Sequence, residues 1–133
     1  MNPDIEKLVE YRLAQARETL SAARDLVKTG HLRDAVNRAY YSLFYASLGL
    51  LASRMIGTSK HTGVLSLFGQ HFVKTGEFSS VAAKYLREAF DWRQKCDYRE
   101  FIQIEPAQVE ELMQHAEVFL SEAEQLWLKI RGR

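Results

Sequence analysis

Cysteine is almost absent from this chain: Cys96 stands alone among 133 residues. No internal disulfide can form and no multi-cysteine metal centre can be built, and a reducing cytoplasm suits such a composition. Proline is nearly as scarce. Pro3 and Pro106 are the two, and both fall where helices begin. Gly57, Gly63 and Gly69 are too scattered for a glycine-rich phosphate loop, and no Gly-x-Ser-x-Gly elbow occurs. Charge of either sign is not in excess, with 18 Lys and Arg against 17 Asp and Glu, so a bulk basic face for nucleic acid is not expected. The most apolar stretch, Tyr40 to Ala52, is broken by Ser42, Ser47 and Gly49 and falls short of the roughly 18 apolar residues of a membrane span. The opening Met-Asn-Pro-Asp-Ile-Glu-Lys has no signal-peptide apolar core. A cytoplasmic protein without a membrane segment is therefore expected. No His-Glu-x-x-His or Glu-x-x-His motif occurs among His31, His61, His71 and His115, which argues against a zinc or di-iron site. No metal and no cofactor is expected. Glu111 and His115, four apart, read as a surface hydrogen-bonded pair.

What is present is helical period. The length suits one domain over residues 1–133, and the 47% hydrophobic, 26% charged composition is that of an ordinary globular protein. Asn2-Pro3 reads as an N-cap followed by proline at the first helical position. Ile5, Val9, Leu13, Ala16, Leu20, Ala23 and Val27 then form one stripe, closed by Gly30. A second helix is expected from His31 or Leu32 to about Met55, apolar over much of its circumference and hence the most buried. A short helix is expected over about Thr62 to Val73. Another runs from a Ser79 or Ser80 cap to about Lys95, with Cys96 to Glu105 as a loop. The last begins at Glu105-Pro106 and carries the seam Val109, Leu112, Ala116, Phe119, Ala123, Leu126 and Ile130. The expected fold is all-α, an up-and-down antiparallel bundle of four to five helices.

Two clusters carry possible chemistry. On the second helix, Asn37-Arg38-Ala39-Tyr40-Tyr41-Ser42-Leu43-Phe44-Tyr45 sets an arginine into apolar surroundings, where it needs a partner. Tyr40, Phe44 and Tyr45 read as core or interface aromatics. The second cluster is Trp92-Arg93-Gln94-Lys95-Cys96-Asp97-Tyr98-Arg99. If the helix persists, Arg93 and Asp97 can pair; equally, a guanidinium beside aromatics suits a phosphate and a base. Cys96 beside Lys95 reads as an apolar filler rather than an activated thiol. Between the clusters, Ser59-Lys60-His61-Thr62-Gly63 opens a helix, where free N–H groups favour anions.

These segments together, Gly30-x4-Ala35-x-Asn37-Arg38-Ala39-Tyr40-Tyr41, Lys60-His61-Thr62-Gly63-Val64 and Arg93-x3-Asp97-Tyr98, resemble the HEPN family, the higher eukaryote and prokaryote nucleotide-binding domains. The likeness is greatest to small stand-alone members related to nucleotidyltransferase substrate-binding subunits. The resemblance implies a helical bundle, often dimeric, that accompanies a minimal nucleotidyltransferase, often in a toxin–antitoxin pair. It implies a ligand site for a nucleotide or an RNA end at Arg38, Tyr41, Lys60, His61, Arg93, Asp97 and Tyr98. Many HEPN proteins are metal-independent ribonucleases with an Arg-x4–6-His motif. Here Arg93 is followed by Asp97-Tyr98 and no histidine, so no catalytic residue is assigned and a binding role is expected. The alternatives are a divergent ribonuclease toxin, using Arg93 with Asp97 or with His61 brought in by the fold, and a structural homodimer without a ligand. Formal Arg-x6-His matches at Arg24–His31 and Arg54–His61 lie elsewhere in the chain. A homodimer is expected on a second ground: the aromatic second helix and the final seam offer more apolar surface than a small bundle can hide.

Overall fold

A computed structural model describes residues 1–58 and 60–133. Helices account for every regular element among them: α1 (Pro3–Lys28), α2 (Leu32–Ala52), α3 (His61–Phe68), α4 (Ser80–Tyr98) and α5 (Pro106–Arg131), with a π-helical turn over Gly69–Val73 extending α3. No helix among them is long and apolar enough to cross a membrane.

The caps follow from the sequence. The Asn2 side chain accepts the Asp4 N–H at 2.8 Å, satisfying one of the donors that a helix start leaves free. Ser79 does the same for Ala82 at 2.9 Å. At α5, Glu105 and Gln108 form a reciprocal capping box. After α1, Gly30 takes φ +79°, and the three-residue link Thr29–His31 sends α2 back along α1.

Helix ends depart from expectation in two places. α2 stops at Ala52 rather than Met55 because the chain turns through Met55 at φ +60° while the Ile56 N–H returns to the Leu51 carbonyl at 3.0 Å. This is a left-handed helix stop made without glycine. α4 runs past Lys95 to Tyr98, so Cys96 to Tyr98 is helix rather than loop. Its end is capped from afar: Arg33 donates to the carbonyls of Cys96 at 2.5 Å, Arg99 at 3.2 Å and Glu100 at 3.3 Å.

α2 is the central helix and packs against α1, α3, α4 and α5. Twelve of its residues are buried, and its Ser42 and Ser47 hydroxyls donate to its own carbonyls at Ala39 and Leu43. Where α2 crosses α1, a side chain at Gly49 would put its Cβ 3.1 Å from the Cβ of Arg12, so glycine sets the approach of the two helices. Every residue of the α5 seam is buried. The α5 seam is covered within one chain, while Tyr41, Tyr45 and Leu48 of α2 stay partly accessible. The large apolar side chains left most exposed include Met55, Tyr98 and Phe101, the last 94% accessible.

Candidate functional site

α2, the start of α3 and the second half of α4 meet around Tyr40. Its ring is fully buried, and the register of α2 puts Tyr41 and Phe44 beside it, with ring centroids 5.2 and 5.8 Å away. A buried phenol needs a polar partner, and the first residue of α3 supplies one: the Tyr40 hydroxyl lies 2.7 Å from His61 Nδ1. The His61 ring stacks on Phe44 at 4.5 Å and lies edge-on to Tyr41 at 5.7 Å.

Arg93 reaches the same two tyrosines from α4. Its guanidinium carbon is 5.4 Å from the centroids of both Tyr40 and Tyr41, within cation–π range. Because the helix persists, Asp97 follows one turn on, with Oδ2 3.2 Å from Arg93 Nε. The approach is too oblique for a hydrogen bond, and the buried Nε–H has no partner among the described residues. The pair is therefore an ion pair by distance, with part of the arginine's donor capacity unspent.

The electrostatics are coherent. Burial, and after it the Arg93 charge, hold His61 below its ordinary pKa of 6.5. Burial likewise keeps the Tyr40 hydroxyl protonated far above its usual range, although Arg93 pulls the other way. At neutral pH the cluster presents a neutral imidazole, a neutral phenol and a guanidinium.

Arg38 lies one turn before Tyr41 and stacks over its ring at 4.9 Å, while Asn37 Oδ1 accepts from it at 2.8 and 3.1 Å. It is half-buried, and the partners its apolar surroundings call for are an amide and a π face, not a carboxylate.

Of the seven residues expected in a site, the fold gathers Arg38, Tyr41, His61, Arg93 and Asp97. Lys60 is the exposed N-cap of α3 beside His61. Tyr98 is 76% exposed and lines a different groove, with Asp91, Gln94, Lys95 and Arg99; helical spacing from Arg93 turns it away. Ser59, in the same predicted segment, lies outside the described residues. The sequence reading missed Tyr40 and Phe44 as parts of this cluster, having read them as core. The one available signal was that a tyrosine in a core register must find a hydroxyl partner.

The other sequence-level candidates resolve as structural. Arg54 donates to both Glu77 carboxylate oxygens at 2.6 Å and to the His71 carbonyl, and stacks on Phe72, so its formal match to His61 is accidental. Cys96 is buried and its thiol is pushed up by burial, the opposite of activation. His115 stacks on Tyr85 at 3.9 Å between Glu88 and Glu111, 3.3 and 3.6 Å away.

A bundle centred on an α2 that carries Asn-Arg-Ala-Tyr-Tyr, with a Lys-His helix start and an Arg-x3-Asp helix end folded against it, defines a class of small helical domain. Residues 9–126 match the family model described as the HEPN domain, and the chain belongs to that family. It is 40% identical over 121 residues to a UPF0332 protein of Thermotoga maritima, covering 91% of this chain and 92% of that one. It is 36% identical over 118 residues to a Methanocaldococcus jannaschii protein named "Putative toxin", covering 89% and 78% of the two chains.

Proposed function

We propose that this protein is a HEPN-type binding module for a nucleotide or an RNA end, acting as the toxin-like half of a pair with a minimal nucleotidyltransferase. The observation that carries the ligand class is the Arg93 guanidinium, held over Tyr40 and Tyr41 beside Asp97 with His61 packed against the same rings. The Arg93 side chain is 18% exposed and its terminal N–H groups can donate to a phosphate oxygen, and the half-buried Tyr41 ring, with Arg38 over it, offers a face for a base. The toxin-like role draws support from the name of the Methanocaldococcus relative. The nucleotidyltransferase partner and the homodimer rest on the family resemblance.

Titration of the protein with adenosine monophosphate and with a short oligouridylate tests the reading. We expect Arg93→Ala to lose about tenfold or more in affinity, the scale of one charged hydrogen bond, with little change in stability. An Arg93→Ala variant that melts much earlier and binds as well as the parent would make Arg93 a structural clamp and overturn the site. Co-purification with a co-expressed minimal nucleotidyltransferase tests the partner.

The packing of His61 beside Arg93 favours a second reading, a divergent metal-independent ribonuclease. Its weakness is chemical. Cleavage needs an acceptor for the 2′-hydroxyl proton and a donor for the leaving oxygen, and a histidine held below its ordinary pKa supplies little imidazolium at pH 7. We expect the purified protein to leave single-stranded RNA intact; cleavage that disappears in both Arg93→Ala and His61→Gln would establish the second reading instead.

A further inference from the structure

We propose that Tyr40 is a positioning residue that fixes His61 as the Nε2–H tautomer, so that the imidazole meets a bound phosphate as a hydrogen-bond donor and not as an acid or base. The inference deepens the phosphate-site reading above and rests on it for the ligand.

The argument is a count of donors and acceptors. The Tyr40 hydroxyl is buried, and its one partner among the described residues is His61 Nδ1, at 2.7 Å. Two arrangements satisfy that distance. In one, Nδ1–H donates to the phenol oxygen, and the phenol's own proton is left among aromatic rings with no acceptor among the described residues. In the other, the phenol donates to an unprotonated Nδ1, and nothing is orphaned. A buried donor without an acceptor is strongly disfavoured, so the second arrangement holds and the ring proton sits on Nε2. The same logic fixes histidine tautomers wherever one ring nitrogen is committed to a partner.

The surroundings reinforce the choice. Phe44 stacks on one face of the ring, Tyr40 meets its Nδ1 edge through the hydroxyl, and Tyr41 lies edge-on to it. Among the described residues, the charged group facing it is Arg93 of α4, whose cation opposes protonation of the ring. With Nδ1 occupied, Nε2 is the nitrogen left for a ligand. It carries a proton there and therefore binds an acceptor. Arg93 supplies the charge, and His61 supplies a neutral, directional donor. A site so composed holds a phosphate without being able to take a proton from a 2′-hydroxyl.

Nitrogen-15 spectra of the His61 ring, recorded at pH 7.5 on the full chain with and without adenosine monophosphate, test this. We expect an unprotonated-type Nδ1 and a protonated-type Nε2 in the free protein, and a shift of Nε2 when adenosine monophosphate is added. A protonated Nδ1 in the free protein would overturn the proposal. So would a bound nucleotide that leaves Nε2 unmoved. If adenosine monophosphate does not bind at all, the phosphate reading of the site fails and the donor role with it, while the tautomer stands as read from the free spectrum. Tyr40→Phe should mix the two tautomers and weaken binding about tenfold, while His61→Gln, which keeps an N–H donor, should retain more affinity than His61→Ala. Equal losses for the two His61 variants would count against a donor role, and this comparison, like the parent spectrum, does not depend on Tyr40→Phe folding.

Discussion

His61 couples the site to stability through its protonation. Its pKa in the folded protein lies below the 6.5 of the free side chain because of burial and then Arg93. Between the two values the unfolded chain binds more protons than the native one, so stability must fall as pH drops below about 6.5 and be level in this respect above it. Melting temperatures measured from pH 7.5 to 5 should show that decline in the parent, and His61→Gln should abolish it. A second decline belongs to the carboxylates. Hydrogen bonds from Arg54 and Arg17 respectively hold Glu77 and Glu117 below 4.5, and their contribution is lost as pH falls through that lower range in both proteins. An unchanged slope between pH 6.5 and 5 in His61→Gln would mean that another group carries the effect. At this scale the sequence was informative about residue type and silent about partners: Arg93 with Asp97 follows from helical spacing alone, whereas Tyr40 with His61 joins positions 21 apart that no period relates.

At the scale of the helix, the last turn of α4 is where sequence reasoning stopped short. Cys96 to Tyr98 shows no apolar period to mark it as helix, and what sustains it is Arg33 from the start of α2, closing on the Cys96 carbonyl that the helix end leaves open and on those of Arg99 and Glu100 just after it. That turn carries Asp97, so Arg33 orders the carboxylate that neighbours Arg93. Arg33→Ala should fray it at a cost of about 1 kcal/mol. Hydrogen exchange should then quicken at the Arg99 amide, which bonds to the Lys95 carbonyl at 3.0 Å, while α1 and the seam of α5 stay protected. Uniform loss of protection across the bundle would show instead that Arg33 supports the whole fold. The N-terminal caps needed no such help. Asn2, Ser79 and Glu105 act within three residues of themselves, and local chemistry of that kind is legible in a linear reading.

For the whole molecule, the proposed function divides two arginine clusters between holding the bundle and binding a ligand. Arg54 ties the turn after α2 to Glu77 and the π-helical turn, with side chains 27% and 22% exposed; removing it leaves Glu77 half-buried with the Thr75 hydroxyl and a long contact to Arg133 at 3.4 Å. Arg54→Ala should therefore destabilise the protein by about 2 kcal/mol and leave nucleotide affinity unchanged, the converse of Arg93→Ala. Denaturant melts beside nucleotide titrations of both variants read the difference, and loss of binding in Arg54→Ala at temperatures where it is folded would break the division. The apolar stripes, the caps and the two prolines were enough for the sequence by itself to determine an all-α bundle and the extent of its seams, because helical period and capping are local properties of the chain. Only the tertiary structure decided what each arginine meets: Arg38, Arg54 and Arg93 look alike in a string of letters, and what separates them is an amide, a glutamate and a pair of tyrosines, one buried and one half-buried, brought to them by packing.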